Sequence, residues 1–146
     1  MVMRGAPRWL SWSAAFLLGM LPAGCDSGAG ARVAVRGKVS YRGVALTTGV
    51  IVFAPDPGHG ANGPLASARI QSDGRYELQT DDAPGVPAGW YRVTVVAVEA
   101  PAQAPSPRGF AVPRSLLPDK YRDPELSGLT CEVRAGRENT INFNLE

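Results

Sequence analysis

Few side chains in this sequence are suited to carry a reaction. The chain has one histidine, His59, and two cysteines, Cys25 and Cys131, so any Ser-His-Asp or Cys-His arrangement would have to use that single imidazole. His59 lies in DPGHGANGP, residues 56–64, which has the composition of a loop. Nothing in it resembles a nucleophile elbow or places a carboxylate on the ring, so a solvated loop histidine is expected. Zinc would want several His or Cys ligands at set spacings, and His59 and Cys131 are far apart. The acids Asp81 and Asp82, and Asp119, Asp123 and Glu125, do not form an EF-hand loop, and the second group reads as a solvated loop beside Lys120 and Arg122. No phosphate-cradling or dinucleotide fingerprint is present. The expected protein is therefore not an enzyme and uses neither metal nor cofactor. Trp90 is the only tryptophan after residue 24. Its ring offers a large apolar face for a sugar or a partner, though packing beneath a long loop is the plainer reading.

Cys25 carries a different kind of chemistry. Arg4 and Arg8 stand in a stretch without acids, residues 9–23 are apolar apart from two serines, and Gly24 and Cys25 follow at once. That order is the one of a secretory signal peptide, and the run is shorter than the roughly 20 apolar residues needed to span a bilayer. Leu21-Pro22-Ala23-Gly24-Cys25 resembles the lipobox of bacterial lipoproteins, with Pro22 as its departure from that pattern. The resemblance implies cleavage between Gly24 and Cys25, acylation of the cysteine, and anchoring to a membrane surface without spanning it. Ala29-Gly30-Ala31 offers a second cleavage pattern, which would release a soluble protein instead. Residues 1–24 are thus expected to be a lipoprotein signal peptide, and residues 25–31 a lipid anchor with a short tether. A disulfide between Cys25 and Cys131 is disfavoured by the local pattern. Cys131 alternates in phase with Leu129 and Val133, so it behaves as a small core hydrophobe.

The remaining elements have to be strands. The 146 residues include 17 Gly and 13 Pro, which are costly inside helices and useful between strands, and the length suits one domain. Fifteen Lys and Arg oppose 13 Asp and Glu over the whole chain; without Arg4 and Arg8 the two signs balance. Such a body has no overall field to gather nucleic acid. Alternation of apolar and polar residues bounded by turn signals predicts strands over 33–41, 50–54, 65–70, 76–80, 90–98, 129–134 and 140–145. Residues 50–54 are apolar on both faces, as suits a central covered strand. Asp73-Gly74 predicts a hairpin between the third and fourth strands, and Arg42-Gly43 a turn after the first. Residues 99–128 hold six prolines and form a long loop anchored by Phe110, Leu116, Leu117 and Tyr121. Seven short strands without a helix predict an all-β, antiparallel two-sheet sandwich over residues 32–146.

A second resemblance covers residues 33–146. The ordered set Arg36-Gly37-Lys38-Val39 with Gly43, Ser72-Asp73-Gly74-Arg75-Tyr76, residues 87–95 (PAGWYRVTV), and Leu117-Pro118-Asp119-Lys120-Tyr121 followed by Ser127-Gly128-Leu129 resembles small bacterial lipoproteins built on a carboxypeptidase-regulatory-like domain. That resemblance implies a prealbumin or transthyretin-like sandwich without catalytic activity, in a structural or protein-interaction role in the cell envelope. The alternative is a glycan- or peptide-binding module that uses the 99–128 loop, with Trp90, Phe110 and Tyr121 on its surface.

Overall fold

Alternation in the sequence decides which side of each strand is buried. The computed structural model describes residues 31–99 and 113–146; Gly24, Cys25 and Phe110 lie outside them. The chain forms β1 (Arg32–Val33), β2 (Val35–Tyr41), β3 (Val44–Ala45), β4 (Val50–Pro55), β5 (Ala66–Arg69), β6 (Arg75–Glu77), β7 (Gln79–Thr80) and β8 (Ala83–Pro84), followed by β9 (Val86–Pro87), β10 (Gly89–Val96), β11 (Val98–Glu99), β12 (Arg114–Ser115), β13 (Thr130–Val133), β14 (Asn139–Thr140) and β15 (Phe143–Leu145). The only helical turns among the described residues are short 3₁₀ turns at Pro57–His59 and Asp119–Arg122. The protein is all-β.

One sheet has the order β13-β10-β4-β5-β7-β8, antiparallel throughout. A second is built around β2, with β3 and β6 antiparallel on one edge and β14 and β15 parallel on the other, while β1 with β9 and β11 with β12 form two further antiparallel pairs. The apolar faces of the two large sheets meet in one core. Ile51, Phe53, Tyr91, Val93 and Val95 come from the first sheet, and Val35, Val39, Tyr76, Phe143 and Leu145 from the second. Phe53 sits between them, its ring centroid 6.3 Å from Tyr76, 5.9 Å from Tyr91 and 6.0 Å from Phe143. Aromatic pairs at such spacing add packing energy beyond the area they bury.

Pairing and burial refine three expectations. Asp73-Gly74 does turn the chain, with Gly74 N–H donating to Gln71 O at 2.9 Å. It closes the expected hairpin, with Gln71 N–H donating to Arg75 O at 2.8 Å and β7 antiparallel to β5. The middle of the return strand, β6, leaves that partner to pair with β2, and only after Leu78 does the chain rejoin β5 through Gln79 opposite Ser67. The Leu78 N–H donates to Val35 O at 2.9 Å at the point of crossing, so the switch of sheets costs no buried donor. The last strand is parallel to β2 instead of antiparallel, because residues 134–138 carry the chain from one sheet to the other and no hairpin reverses it within a sheet. Asn139 secures that crossing: it is buried, its amide donates to Arg134 O and Arg137 O at 3.0 Å, and its Oδ1 accepts from Arg134 N–H at 2.9 Å. Finally, β4 is central, but its outer face is only partly covered, with Val50 exposed opposite Val96.

Two turns show how sequence sets register here. Arg42 and Gly43 both have positive φ, 51° and 79°, which is the two-residue turn whose twist matches a β-hairpin, and it joins β2 to β3. Gly37 has no side chain because the C-terminal segment passes directly over it. A Cβ built there would lie 1.7 Å from Ile141 O.

Candidate functional site

Strand β10 places one row of side chains inward and one outward. Tyr91, Val93 and Val95 are buried, while Trp90, Arg92, Thr94 and Val96 form the opposite row. Beside that outer row, β4 ends at Pro55, and Asp56 begins a tight 3₁₀ turn with Pro57 as its first residue. Asp at the cap followed by proline is a local start signal, because the carboxylate takes an orphan N–H and the proline ring presets φ. The Asp56 N–H donates to Trp90 O at 2.9 Å, which continues the β4–β10 ladder to the turn.

His59 is exposed, as a loop histidine should be, but the turn corrects the expectation that no carboxylate lies on its ring. Asp56 and His59 are three residues apart, so one turn brings them together, and the His59 Nδ1–H donates to Asp56 Oδ2 at 2.7 Å. Asp56 is buried, and its other oxygen accepts from Gly58 N–H at 3.0 Å and Arg92 Nε–H at 2.8 Å. Arg92 also bonds Glu125, which lies beyond the second 3₁₀ turn. The imidazole of His59 stacks on Trp90 with ring centroids 4.4 Å apart and planes at 14°. His59 is thus held by an acceptor on its edge and by an indole on its face, with its side chain half-exposed.

The hydrogen bond from His59 holds the Asp56 carboxyl below its ordinary value, helped by Gly58 N–H and Arg92 and opposed by burial. An ionised carboxylate only accepts, so Nδ1 carries the proton and the lone pair of the neutral ring lies on Nε2. Such a pair can orient an acceptor nitrogen toward a ligand. Cys131, half-buried across from Tyr91 in β13, has its thiol pushed up to about 12 by burial, which keeps it a protonated, poor nucleophile. Among the described residues, no group of three or more His, Cys, Asp or Glu side chains is placed to hold a metal ion.

Trp90 separates two grooves. One, of about 340 Å³, is lined by His59, Ala61, Asn62, Pro87 and Gly89 as well as Trp90. The other, of about 440 Å³, runs along β13 and is lined by Trp90 with Thr130, Glu132, Arg137, Asn139 and Ile141 among others. Trp90 is the only described residue that borders both. It is 36% exposed.

Tyr121, also expected at a binding surface, is not gathered there. It is buried; its hydroxyl donates to Glu146 O at 3.0 Å and accepts from Glu146 N–H at 2.9 Å, so it clamps the end of the chain to the core. An aromatic anchor in a Pro-rich loop serves packing as readily as binding. Gly24 and Cys25, the expected cleavage and lipidation residues, and Phe110 lie outside the described residues. Comparison with protein-family models, curated proteins and solved structures finds no match for this chain.

Proposed function

We propose that the chain is a lipid-anchored module of the bacterial cell envelope, exported by residues 1–24, acylated on Cys25, and structural or protein-binding in role without catalysing a reaction. In this reading, residues 32–146 are a seven-stranded sandwich of the transthyretin-like, carboxypeptidase-regulatory-like kind. The observation that carries it is the order of Arg4 and Arg8, the apolar 9–23 segment, and Ala23-Gly24-Cys25. The fold is consistent with a short anchor: β1 begins at Arg32, so residues 26–31 separate the cysteine from the first strand. Six residues reach about 20 Å when extended, which would hold the body near the lipid headgroups.

The test is fractionation of natively expressed protein beside Cys25→Ala. Wild type is expected with the membranes, in a form that detergent extracts, and the variant is expected as soluble protein or unprocessed precursor. Equal distribution of the two would contradict the anchor.

A second reading, a binding module for a glycan or peptide, is favoured by one specific observation. An exposed tryptophan is stacked against a carboxylate-oriented histidine between two grooves, and aromatic anchors bind with little loss of side-chain entropy.

A further inference from the structure

We propose that Trp90 and His59 form the stacking platform of a site for a neutral oligosaccharide, with the chain of sugars crossing Trp90 from one groove to the other. This inference deepens the binding reading and is independent of the lipid anchor. His59 covers one face of the indole, and the remaining indole surface is shared between the grooves. A pyranose ring has an apolar C–H face and a rim of hydroxyls. It matches an aromatic surface bordered by groups that both donate and accept hydrogen bonds.

The borders supply those groups. In the smaller groove, His59 offers Nε2, its direction fixed because Asp56 holds Nδ1–H, and Asn62 offers both an amide donor and a carbonyl acceptor. In the larger groove, Thr130 and Thr140 offer hydroxyls that do the same, and the charges there balance, with Glu132 and Glu138 against Arg134 and Arg137. A balanced lining selects against strongly charged ligands.

A peptide adding to the β13 edge is the competing occupant, and the backbone disfavours it. Val93 N–H donates to Leu129 O at 2.8 Å. Because donors alternate along an antiparallel strand, the N–H and C=O groups of Thr130 and Glu132 then face away from β10. The next outward N–H, on Arg134, is already taken by Asn139 Oδ1 at 2.9 Å. Two residues of edge are fewer than a bound strand ordinarily uses.

The experiment is calorimetric titration of the full chain, in a detergent without sugar groups, with cellotetraose, xylotetraose and chitotetraose in turn and with a pool of random hexapeptides. At least one tetrasaccharide is expected to bind. Trp90→Ala and His59→Ala are each expected to weaken that binding about tenfold or more, while Trp90→Phe retains part of it. Circular dichroism of each variant checks that it folds, and His59→Gln provides a second test at the same ring should the alanine variant unfold. Three results would overturn the proposal. No tetrasaccharide binding at millimolar concentration removes the ligand class; binding unchanged in Trp90→Ala and His59→Ala removes the platform; hexapeptide binding lost in Trp90→Ala, with no sugar binding, replaces the sugar with a peptide and leaves the binding reading standing. Silence toward both probes removes that reading too.

Discussion

Asp56 concentrates more interactions than any other polar residue of the site, because one buried carboxylate accepts from a backbone N–H, an imidazole and a guanidinium. Its folded pKa is lowered from the ordinary 3.8, chiefly by His59. The unfolded state therefore takes up the proton first on acidification, so the stabilisation is complete above the ordinary carboxylate range and is lost as the pH falls through the lower folded value. The stability difference between wild type and Asp56→Asn is expected to be widest at neutral pH and to narrow below about pH 4, measured by urea unfolding at a series of pH values. A gap that stays constant into strong acid would show that the charge of Asp56 contributes nothing. Cys131 gives a second test at this scale. With its thiol pushed up to about 12 by burial, native protein is expected to resist alkylation at mildly alkaline pH and to react promptly in denaturant. Prompt labelling of native Cys25→Ala, in which Cys131 is the only cysteine, would contradict that placement.

At the scale of elements, the crossings between sheets decide the topology, and Gly37 guards one of them. The Ile141 carbonyl lies where a Cβ would have to be, and both groups belong to backbone held by ladder bonds, Ile141 N–H to Arg36 O at 2.8 Å among them. Gly37→Ala is expected to cost at least the upper part of the 1–3 kcal/mol typical of overpacking, because no flexible side chain can yield. Thermal and denaturant unfolding measure it, and a change below about 1 kcal/mol would mean that the C-terminal strand moves aside easily.

The same elements show what was legible in the sequence. Tyr76, Leu78 and Thr80 read as one alternating strand, and all three are buried; the side chains follow a period of two whichever sheet receives them. Pairing partners were not legible, because alternation says which face is buried and nothing about which neighbour supplies the hydrogen bonds. Hence a turn at Asp73-Gly74 could be foreseen and its crossing to β2 could not. At the site, the outward direction of Trp90 followed from the phase of β10. The stacking of His59 on it did not, although Asp-Pro-Gly-His contained the cap signal that folds Asp56 onto His59. Arg92 and Glu125 are separated by 33 residues, and no local pattern announces a contact of that range.

For the whole molecule, the proposed anchor and the observed core are separate devices. The core draws on both sheets and closes at the C-terminus, where Leu145 is buried and Tyr121 holds Glu146. Among the described residues its buried side chains run from Val35 to Leu145. Folding of residues 32–146 is then expected to be indifferent to Cys25, while location depends on it entirely. Two or three acyl chains hold a protein to a bilayer stably, each buried CH₂ contributing about 0.8 kcal/mol, whereas a single chain does not. The intact mass of the protein recovered from its native host tests this most directly. A polypeptide beginning at Cys25 and carrying the added mass of acyl chains is the expected result. A polypeptide beginning near Arg32 with no added mass would contradict the anchor and leave a freely secreted β protein.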